Sequence, residues 1–326
     1  MAIDLLNLQP HQVSRDLSGY ITYLYGPPKS GKTTLGSQMP KALILAFERG
    51  YNALPGVKAQ DITSWVEMRQ VYKQLKKPEV QEMFQSIVVD TVDIAALMCE
   101  KYICNQNDVD ALGDLGYGKG WTAFKKEFEE IFRGLTQMGY AVCFISHDKE
   151  SIINIDGKEK IIIRPSLSDS SRKIIENMAD LYGYAKPTID NGKSAVKLYL
   201  RSVDNTISCG CRFKYIEPVI DFNYQALVNA LNKAIDKEAE LTENKFVTDE
   251  KQITNIMVEY DYDKLVSEFQ ELVGQLMQKD KAYYTPRITQ IVEKYLGKNK
   301  KVTNATIEQA EFIFLINEDI KSDLMA

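Results

Sequence analysis

The stretch GPPKSGKTT, residues 26–34, has the residue types and spacing of a loop that binds the phosphates of a nucleotide. Its glycines let backbone N–H groups converge on an anion, and the helix that should begin at Lys32 points its positive end at the same place. The ammonium of Lys32 adds a full charge for the β and γ phosphates, and the hydroxyl of Thr33 can ligate Mg²⁺. Because the two prolines stiffen the loop without offering N–H groups, the donors should come mainly from residues 30–34. The sequence predicts binding of ATP and Mg²⁺ by Gly26, Pro27, Pro28, Lys29, Ser30, Gly31, Lys32, Thr33 and Thr34.

Three polar residues stand where apolar runs end, and such positions collect at one edge of a parallel sheet. Asp90 closes the run SIVVD, where an acid holds the water shell of Mg²⁺ in proteins with this loop; the alternative is an aspartate that only forms a turn. Glu48 follows LILAF, and it is either a general base for the attacking water or a solvated residue before a turn. His147 follows CFIS and can sense the γ-phosphate, although a lone histidine is more often structural. The sequence thus predicts Lys32, Glu48 and His147 as catalytic residues and Thr33 and Asp90 as metal-binding residues.

The surrounding pattern alternates strands and helices, which indicates the sheet that positions these residues. Apolar and β-branched runs predict strands at 20–25, 42–47, Ser86–Asp90 and Ala141–Ser146. Helical spacing predicts helices at 32–38, 64–75, 92–104 and 121–138, with a loop at 105–120. Such alternation predicts an α/β fold with a mostly parallel central sheet flanked by helices.

The pattern changes beyond residue 147. The stretch SIINIDGKEKIIIR alternates apolar residues around Asp156-Gly157, which predicts a β-hairpin. From about residue 237 the chain becomes charged and poor in apolar residues, which predicts a linker to a helical appendage, so the expected domains are 1–238 and 239–326. The remaining runs predict helices at 173–178, 224–235, 253–277, 285–295 and 303–320, and strands at 181–185, 195–201 and 213–216.

The composition is that of a soluble globular protein. The chain has 326 residues, of which 44% are apolar and 26% charged, enough for one core and an appendage. Its net charge of −5 argues against a protein that coats nucleic acid with its whole surface, but it permits a local basic groove. No apolar run approaches the roughly 20 residues that cross a bilayer, and the N-terminus lacks the pattern of a secretory signal. With the five cysteines taken as free thiols, the expected location is a reducing cytoplasm, away from membranes.

The order of the sequence blocks resembles that of the RecA-like ATPases. ALILAFERGYNALPG follows the phosphate loop, and then come SIVVDTVDIAAL and GYAVCFISHDK. More narrowly, YGKGWTAFKKEFEEIFRGL and CRFKYIEPVIDFNYQALVNAL look like blocks of the core-only RecA-like proteins of bacteriophages, the phage nucleotide-binding proteins or Sak-type recombinases. The resemblance covers about residues 20–235. It implies a RecA-like P-loop core, an oligomer that binds ATP at subunit interfaces and engages single-stranded DNA, and a phage-infected bacterium as host.

The resemblance also implies roles for single residues. Glu48 falls where RecA-like proteins carry the catalytic glutamate, and Asp90 falls on the acid associated with Mg²⁺. His147 falls on the strand-tip sensor, where RecA itself has glutamine, so a hydrogen-bonding group is kept. An arginine supplied by a neighbouring subunit would make hydrolysis depend on assembly. Arg212 in CGCRFKY is the first choice for this catalytic role, and Arg201 is the second.

Two segments, 105–120 and 148–172, correspond to the DNA-facing loops of the resembled family. Single-strand binding needs a basic groove with an occasional aromatic ring. The first segment is not strongly basic, whereas the second carries several cations on the predicted hairpin. An ordinary solvated turn is the alternative for these cations. The predicted DNA-binding residues are Lys119, Trp121, Lys149, Lys158, Lys160 and Arg164.

The sequence therefore predicts an ATP hydrolase that is stimulated by DNA and acts in recombination or single-strand annealing as a ring or filament of identical subunits. A helicase or helicase loader is the first alternative. The second alternative is a non-catalytic ATP-binding switch or scaffold that recruits replication proteins. The appendage lies outside the resemblance, and it is expected either to bind a single-strand binding or replication protein or to add DNA affinity through Lys298, Lys300 and Lys301.

Overall fold

The computed structural model describes residues 6–8, 10–155, 157–190, 192–202, 206–241, 243, 246–251 and 260–324. The chain forms two compact units, Met1–Ile256 and Met257–Ala326. The boundary predicted at residue 238 lies inside a helix, Tyr224–Leu241, which continues through the start of the charged stretch because Ala239 stays on its buried face.

The first unit is built on mostly short strands with helices between them. Its described strands are β1 (Val13–Ser14), β2 (Thr22–Tyr25), β3 (Ala42–Ala46), β4 (Lys58–Asp61), β5 (Ser86–Asp90), β6 (Ala141–Ser146), β7 (Asp148–Ile155), β8 (Lys158–Pro165), β9 (Leu181–Asp190), β10 (Lys193–Tyr199), β11 (Gly210–Cys211), β12 (Val219–Asp221) and β13 (Val247–Thr248). Its described helices are α1 (Lys32–Ser37), α2 (Trp65–Leu75), α3 (Pro78–Met83), α4 (Val92–Gln106), α5 (Lys119–Gln137), α6 (Asp169–Met178) and α7 (Tyr224–Leu241).

The central sheet has the strand order β12-β10-β9-β2-β6-β5-β3-β4, with β11 paired to β9. The strands from β9 to β4 in this order run parallel, and the antiparallel strands lie on the β9 side. Strands β2, β5 and β6 are buried along their whole length, as expected where helices cover both faces of a parallel sheet. The predicted α/β fold with a mostly parallel central sheet is confirmed.

Apolar clusters on the two faces of the sheet hold the strands in place. On one face, α2, α4, α5 and α6 pack through a cluster that includes the fully buried Trp65, Phe128 and Phe132. On the other face, α1 and α7 pack through a cluster that includes Leu35 and Leu227. The strand ends that carry the predicted site are therefore fixed from both sides.

The strands β7 and β8 form a two-stranded antiparallel ribbon, separate from the central sheet, in which Asp148 pairs with Pro165. The predicted hairpin is confirmed, although the predicted turn residue Asp156 lies outside the described residues. We call β7 and β8 together the ribbon.

The predicted strand at 213–216 is wrong. Residues 214 and 215 form a turn, and the N–H of Ile216 donates to the carbonyl oxygen of Phe213. Ile216 is buried in the cluster that includes α7, so its apolar character reflects packing as a loop residue. The short strands β11 and β12 flank this turn instead.

The second unit is helical in the part that the structure describes. Its helices are α8 (Tyr262–Leu296) and α9 (Ala310–Leu324). The helix α8 is interrupted at Asp280, whose φ of −160° and ψ of 97° are not helical, in the gap between the helices predicted at 253–277 and 285–295. The first residues of the helix predicted from 253 lie outside the described residues. Across both units, none of the described helices is long and apolar enough to cross a membrane.

Candidate nucleotide-binding site

The predicted phosphate loop connects the buried strand β2 to α1. Lys29 and Gly31 have φ values of 64° and 89°, in the left-handed region, so the loop turns sharply between them. Gly31 precedes α1 without a side-chain cap, and the first N–H groups of a helix have no partner within it. Gly26 lies against β9, since a Cβ atom there would stand 2.6 Å from the carbonyl oxygen of Ala185. The loop therefore leaves backbone N–H groups available to an anion in its second half, and binding of phosphate by residues 30–34 stays a prediction.

Lys32 is hydrogen-bonded to the loop that it closes. Its ammonium donates to the carbonyl oxygens of Gly26 and Pro27, each at 2.8 Å, and the residue is only 5% exposed. Burial lowers the pKa of Lys32, while the surrounding carboxylates act in the opposite direction. Because an ionised phosphate is a stronger acceptor than a neutral carbonyl, the phosphates of a nucleotide can take over these hydrogen bonds.

Thr33 and Asp90 form the pair predicted to hold Mg²⁺. The Thr33 hydroxyl donates to Oδ2 of Asp90 at 2.6 Å, and burial raises the pKa of this carboxyl group. Space beside the pair depends on Gly50, because a Cβ atom there would stand 2.9 Å from Oγ1 of Thr33 and 3.0 Å from Oδ2 of Asp90. In the described part of the chain, no group of three or more His, Cys, Asp or Glu residues can hold a metal by itself. Mg²⁺ usually takes one or two protein oxygens and completes its shell with water and substrate phosphates, so this pair, with no side chain on the neighbouring Gly50, fits the ion.

Glu48 and His147 are in contact across the carboxyl-terminal edge of the sheet. Glu48 follows β3 and His147 follows β6, and β5 with Asp90 lies between these strands. Nε2 of His147 is 3.3 Å from Oε1 of Glu48, and the two side chains are 32% and 33% exposed. The hydrogen bond from His147 lowers the pKa of the Glu48 carboxyl group, and the same bond raises the pKa of His147. The residues predicted as base and sensor thus form one pair, in which the histidine restrains the carboxylate.

This pair predicts a pH dependence of ATP hydrolysis. Because the pKa of His147 is raised in the folded protein, its protonated form contributes to the stability of the fold. This contribution is fully present below pH 6.5, the ordinary pKa of histidine, and is lost as the pH rises through the raised pKa. Because the pKa of Glu48 is lowered, its ionised form also contributes to the stability of the fold. This contribution is present above pH 4.5, the ordinary pKa of glutamate, and is lost as the pH falls through the lowered pKa. We therefore expect the hydrolysis rate, measured in steady state from about pH 5.5 to about pH 9, to rise above pH 6.5 as His147 releases Glu48.

The variant His147→Gln tests the origin of this pH dependence. Glutamine keeps a hydrogen-bonding group beside Glu48 but does not titrate in this range, so the rise should disappear. If the rise persisted unchanged in the variant, another group would be responsible and the pairing would have no catalytic consequence.

A cavity of about 300 Å³ adjoins the phosphate loop and was not predicted from the sequence. It is bounded by Ser30 and Gly31 of the loop, by Gln38 after α1, and by Phe222 and Asn223 between β12 and α7. The ring of Phe222 is close, since a Cβ atom on Gly31 would lie 3.8 Å from it. A flat apolar ring beside a phosphate loop suits the base of the nucleotide, because every base has a π-face that can stack. In the sequence, Phe222 and Asn223 stand in the stretch DFN directly before α7, and only the fold shows that they lie next to the phosphate loop.

Arg212 and Arg201 lie at the opposite edge of the sheet. The guanidinium of Arg212 is 3.3 Å from Asp180 and donates to the carbonyl oxygen of Asn177 at 3.0 Å. Arg201 donates to the carbonyl oxygen of Phe213 at 2.6 Å. Asp180 precedes the start of β9, whereas the phosphate loop follows the end of the parallel strand β2. The structure therefore brings neither arginine into the site of its own chain, and a role for Arg212 in a neighbouring subunit's site stays a prediction.

The four cations predicted on the hairpin share one face of the ribbon. The register places Lys149 opposite Arg164, and alternate residues of a strand point to the same side, so Lys158 and Lys160 belong to this face as well. At the base, Lys149 donates to a backbone carbonyl at 2.9 Å and Arg164 to a serine hydroxyl at 2.7 Å. Nearer the tip, Lys158 and Lys160 are exposed. We call this side the basic face.

The opposite face of the ribbon has a different chemical character. It carries Glu150 and Glu159, together with the cross-strand pair Ile152 and Ile161, which are 67% and 57% exposed. Only the basic face is therefore suited to phosphate groups.

Lys119 lies in the first turn of α5 rather than in the predicted loop, and Trp121 lies in the same turn, inside the helix predicted to begin there. Lys119 is exposed, and Trp121 is 49% exposed. In the described part of the chain, neither residue forms a hydrogen bond or an ion pair with the ribbon. Their predicted contact with DNA stays a prediction, separate from that of the basic face.

The class of this protein follows from its loop, its strand-end residues and a family comparison. Residues 18–207 match the AAA domain family, a family of P-loop ATPases, and the chain belongs to it. The matched part contains the phosphate loop, Glu48, Asp90, His147 and the ribbon.

Two further similarities accompany the family match. The chain is 30% identical over 336 residues to the SPbeta prophage-derived uncharacterized protein YorG of Bacillus subtilis (strain 168), with all of both chains covered. Among solved structures, it is similar to the crystal structure of the KaiC-like protein PH0186 from Pyrococcus horikoshii OT3. That match has 14% identity and a TM-score of 0.35, and it covers 60% of this chain and 90% of the other.

Proposed function

We propose that this protein hydrolyses ATP, binds single-stranded DNA as an oligomer, and acts in phage DNA recombination or single-strand annealing. The observation that carries the proposal is the attachment of the ribbon to the nucleotide site, since β7 begins at Asp148, the residue directly after His147. A surface suited to DNA phosphates therefore begins where the proposed sensor of the nucleotide ends. Membership of a P-loop ATPase family supports nucleotide-dependent action, and the prophage origin of the Bacillus relative supports a role in phage biology.

ATP hydrolysis would follow from the residues at the strand ends. When bound, Mg²⁺ supplies positive charge against the β and γ phosphates, and Thr33 and Asp90 would hold it. Lys32 adds its ammonium from the other side of the same phosphates. Glu48 orients and polarises the attacking water as a general base. His147 donates its N–H to Glu48 until the γ-phosphate competes for it, so the carboxylate is released when the substrate is in place.

DNA binding would use the basic face of the ribbon. Cations that neutralise backbone phosphates release condensed counterions, which drives binding to nucleic acid without sequence preference. Because the whole chain has a net charge of −5, the attraction is local rather than general. Lys119 would contribute further charge, and Trp121 supplies an exposed ring for stacking on a base.

Assembly would complete the site. Arg212 lies at the far edge of its own sheet, so only a neighbouring subunit can present it to the nucleotide. Contacts of this head-to-tail kind generate rings when they close and filaments when they do not. The expected place of action is the cytoplasm of a phage-infected bacterium.

The proposed DNA contact predicts a change in the salt dependence of binding. The double variant Lys158→Glu/Lys160→Glu should bind single-stranded DNA more weakly because two exposed cations on the basic face become anions. The slope of log K against log salt should become shallower by about 1.4, since each lost contact to a single strand removes about 0.7. Fluorescence anisotropy with a labelled oligonucleotide at several salt concentrations measures both quantities.

A matched control for this experiment is Lys73→Glu/Lys77→Glu. Both residues are exposed lysines that lie away from the ribbon, at the end of α2 and before α3. This control makes the same change in net charge and should leave the slope unaltered. If both double variants weakened DNA binding equally, the effect would come from the net charge of the protein, and a DNA-binding face on the ribbon would be contradicted.

A second candidate function, a switch or scaffold that recruits replication proteins, is favoured by the second unit. This unit is compact by itself, and Ile307, Phe312 and Leu315 are 73%, 37% and 36% exposed on it. Phe312 and Leu315 are three residues apart on α9 and therefore share a side of the helix. A scaffold would keep its function in Glu48→Gln and lose it when residues 257–326 are deleted, whereas a DNA-dependent ATPase would lose it in Glu48→Gln.

A further inference from the structure

Asp93 lies between the nucleotide site and the ribbon. It is in the first turn of α4, the helix that follows Asp90. Its Oδ1 accepts hydrogen bonds from the hydroxyl of Ser146 at 2.9 Å and from the hydroxyl of Ser166. Its Oδ2 accepts a hydrogen bond from the backbone N–H of His147 at 3.2 Å. Three donors thus converge on one carboxylate.

The three donors come from the two ends of the ribbon. Ser146 and His147 directly precede β7, and Ser166 directly follows β8. The N–H of Ser166 also donates to the carbonyl oxygen of His147 at 2.8 Å, which joins the two ends to each other. Asp93 therefore holds both ends of the ribbon and the backbone of the proposed sensor at one point.

Two tyrosines from other strands of the site also reach the base of the ribbon. The hydroxyl of Tyr25, the residue before Gly26, lies 3.1 Å from the carbonyl oxygen of Ile163 in β8. The hydroxyl of Tyr184 donates to Asp148 at 3.2 Å. Asp93 differs from both tyrosines because its charged group touches the two ends together, and hydrogen bonds to an ionised group are the stronger ones.

We infer that Asp93 is a positioning residue that couples the ribbon to His147. A displacement of the ribbon by DNA would then move His147 relative to Glu48. In the other direction, a nucleotide whose γ-phosphate competes for the N–H of His147 would change the conformation of the ribbon. This inference rests on the proposed function, because it assigns the regulation of that site. Since coupling between two binding sites is reciprocal, the effect of nucleotide on the ribbon can be tested without DNA.

Hydrogen–deuterium exchange of the full chain, with and without a non-hydrolysable ATP analogue and Mg²⁺, tests the coupling. In the wild type we expect protection of the loop at 26–34 and a change of about fivefold or more in exchange along the ribbon. In Ser166→Ala, which removes one of the three donors, the loop should still be protected while the ribbon loses most of its response. Ser166→Thr keeps the hydroxyl and should restore the response. Ser168→Ala, an exposed site two residues further on, is the control and should behave as the wild type.

Two results would overturn the inference. One is a protected loop with unchanged exchange along the ribbon in the wild type, and the other is an equal ribbon response in the wild type and Ser166→Ala. Asp93→Asn, which leaves one acceptor oxygen for three donors, should reduce both the ribbon response and the hydrolysis rate. A wild-type rate and response in that variant would equally contradict a positioning role.

The readout separates this inference from the proposed function. A ribbon that responds to the ATP analogue in a protein that does not bind single-stranded DNA would support the coupling and contradict the DNA role. If DNA stimulated hydrolysis but the ATP analogue left hydrogen exchange along the ribbon unchanged, the proposed function would be supported and the coupling contradicted. If the analogue protected neither the loop nor the ribbon, both would be contradicted.

Discussion

Replacing Lys32 by alanine is expected to lower ATP hydrolysis by about a hundredfold or more, the size of effect seen when one preorganised group that stabilises transition-state charge is removed. The variant loses a buried ammonium that lies 2.8 Å from the carbonyl oxygens of Gly26 and Pro27, at the centre of the loop. Without it, the negative charge of the β and γ phosphates faces only the backbone donors and the Mg²⁺ that binds with the nucleotide. The affinity for ATP should fall together with the rate, because this charge acts on the bound substrate as well as on the transition state.

Two measurements check this prediction. Phosphate release in steady state gives the rate, and titration with a fluorescent ATP analogue gives the affinity. Lys73→Ala, at an exposed position of α2, is the control and should match the wild type. Because Lys32 is buried, the midpoint of thermal unfolding should be compared as well. A folded Lys32→Ala variant with an unchanged rate would place hydrolysis elsewhere in the chain.

Replacing Glu48 by glutamine is expected to lower kcat by about a hundredfold to ten-thousandfold while ATP binding stays close to that of the wild type. Glutamine has the shape of glutamate and can still accept the hydrogen bond from His147, but it cannot take a proton from the attacking water. The pairing at 3.3 Å shows that the position is within reach of the proposed sensor. A loss confined to kcat is the signature of an interaction that matters in the transition state.

Glu79→Gln, at an exposed position in the first turn of α3, makes the same chemical change away from the site and should have no effect. An unchanged kcat in Glu48→Gln would remove Glu48 from the mechanism and favour the switch or scaffold function. A large loss of ATP affinity with kcat preserved would instead assign Glu48 to substrate binding.

The strand-end residues were predictable because their local sequence carries the signal. Strands buried on both faces of a parallel sheet consist of continuous apolar residues, so SIVVD and AVCFIS stand out without knowledge of their neighbours. The polar residue that follows such a run must lie at the carboxyl-terminal edge, where the phosphate loop also lies. The hairpin was equally local, because its alternating apolar residues surround Asp156-Gly157, but the placement of the four cations on one face follows from the observed register.

The contacts between these residues were not predictable, because they depend on strand order. The strand β6 comes late in the chain but lies between β2 and β5, and this order brings His147 towards Glu48. Phe222 and Asp93 are ordinary residue types whose relevant neighbours are far away in the sequence. The wrong strand at 213–216 has a related cause, since an apolar run in a loop packed on a core has the same composition as a short strand.

The decisive measurement is the rate of ATP hydrolysis with and without single-stranded DNA, for the wild type beside Lys32→Ala. We expect DNA to raise the wild-type rate, because the basic face of the ribbon is joined to His147 and binding there acts on the site. The rate of Lys32→Ala should stay near the background in both conditions. If purified wild-type protein neither bound single-stranded DNA nor changed its rate when DNA was added, the proposed DNA-dependent ATPase function would be wrong.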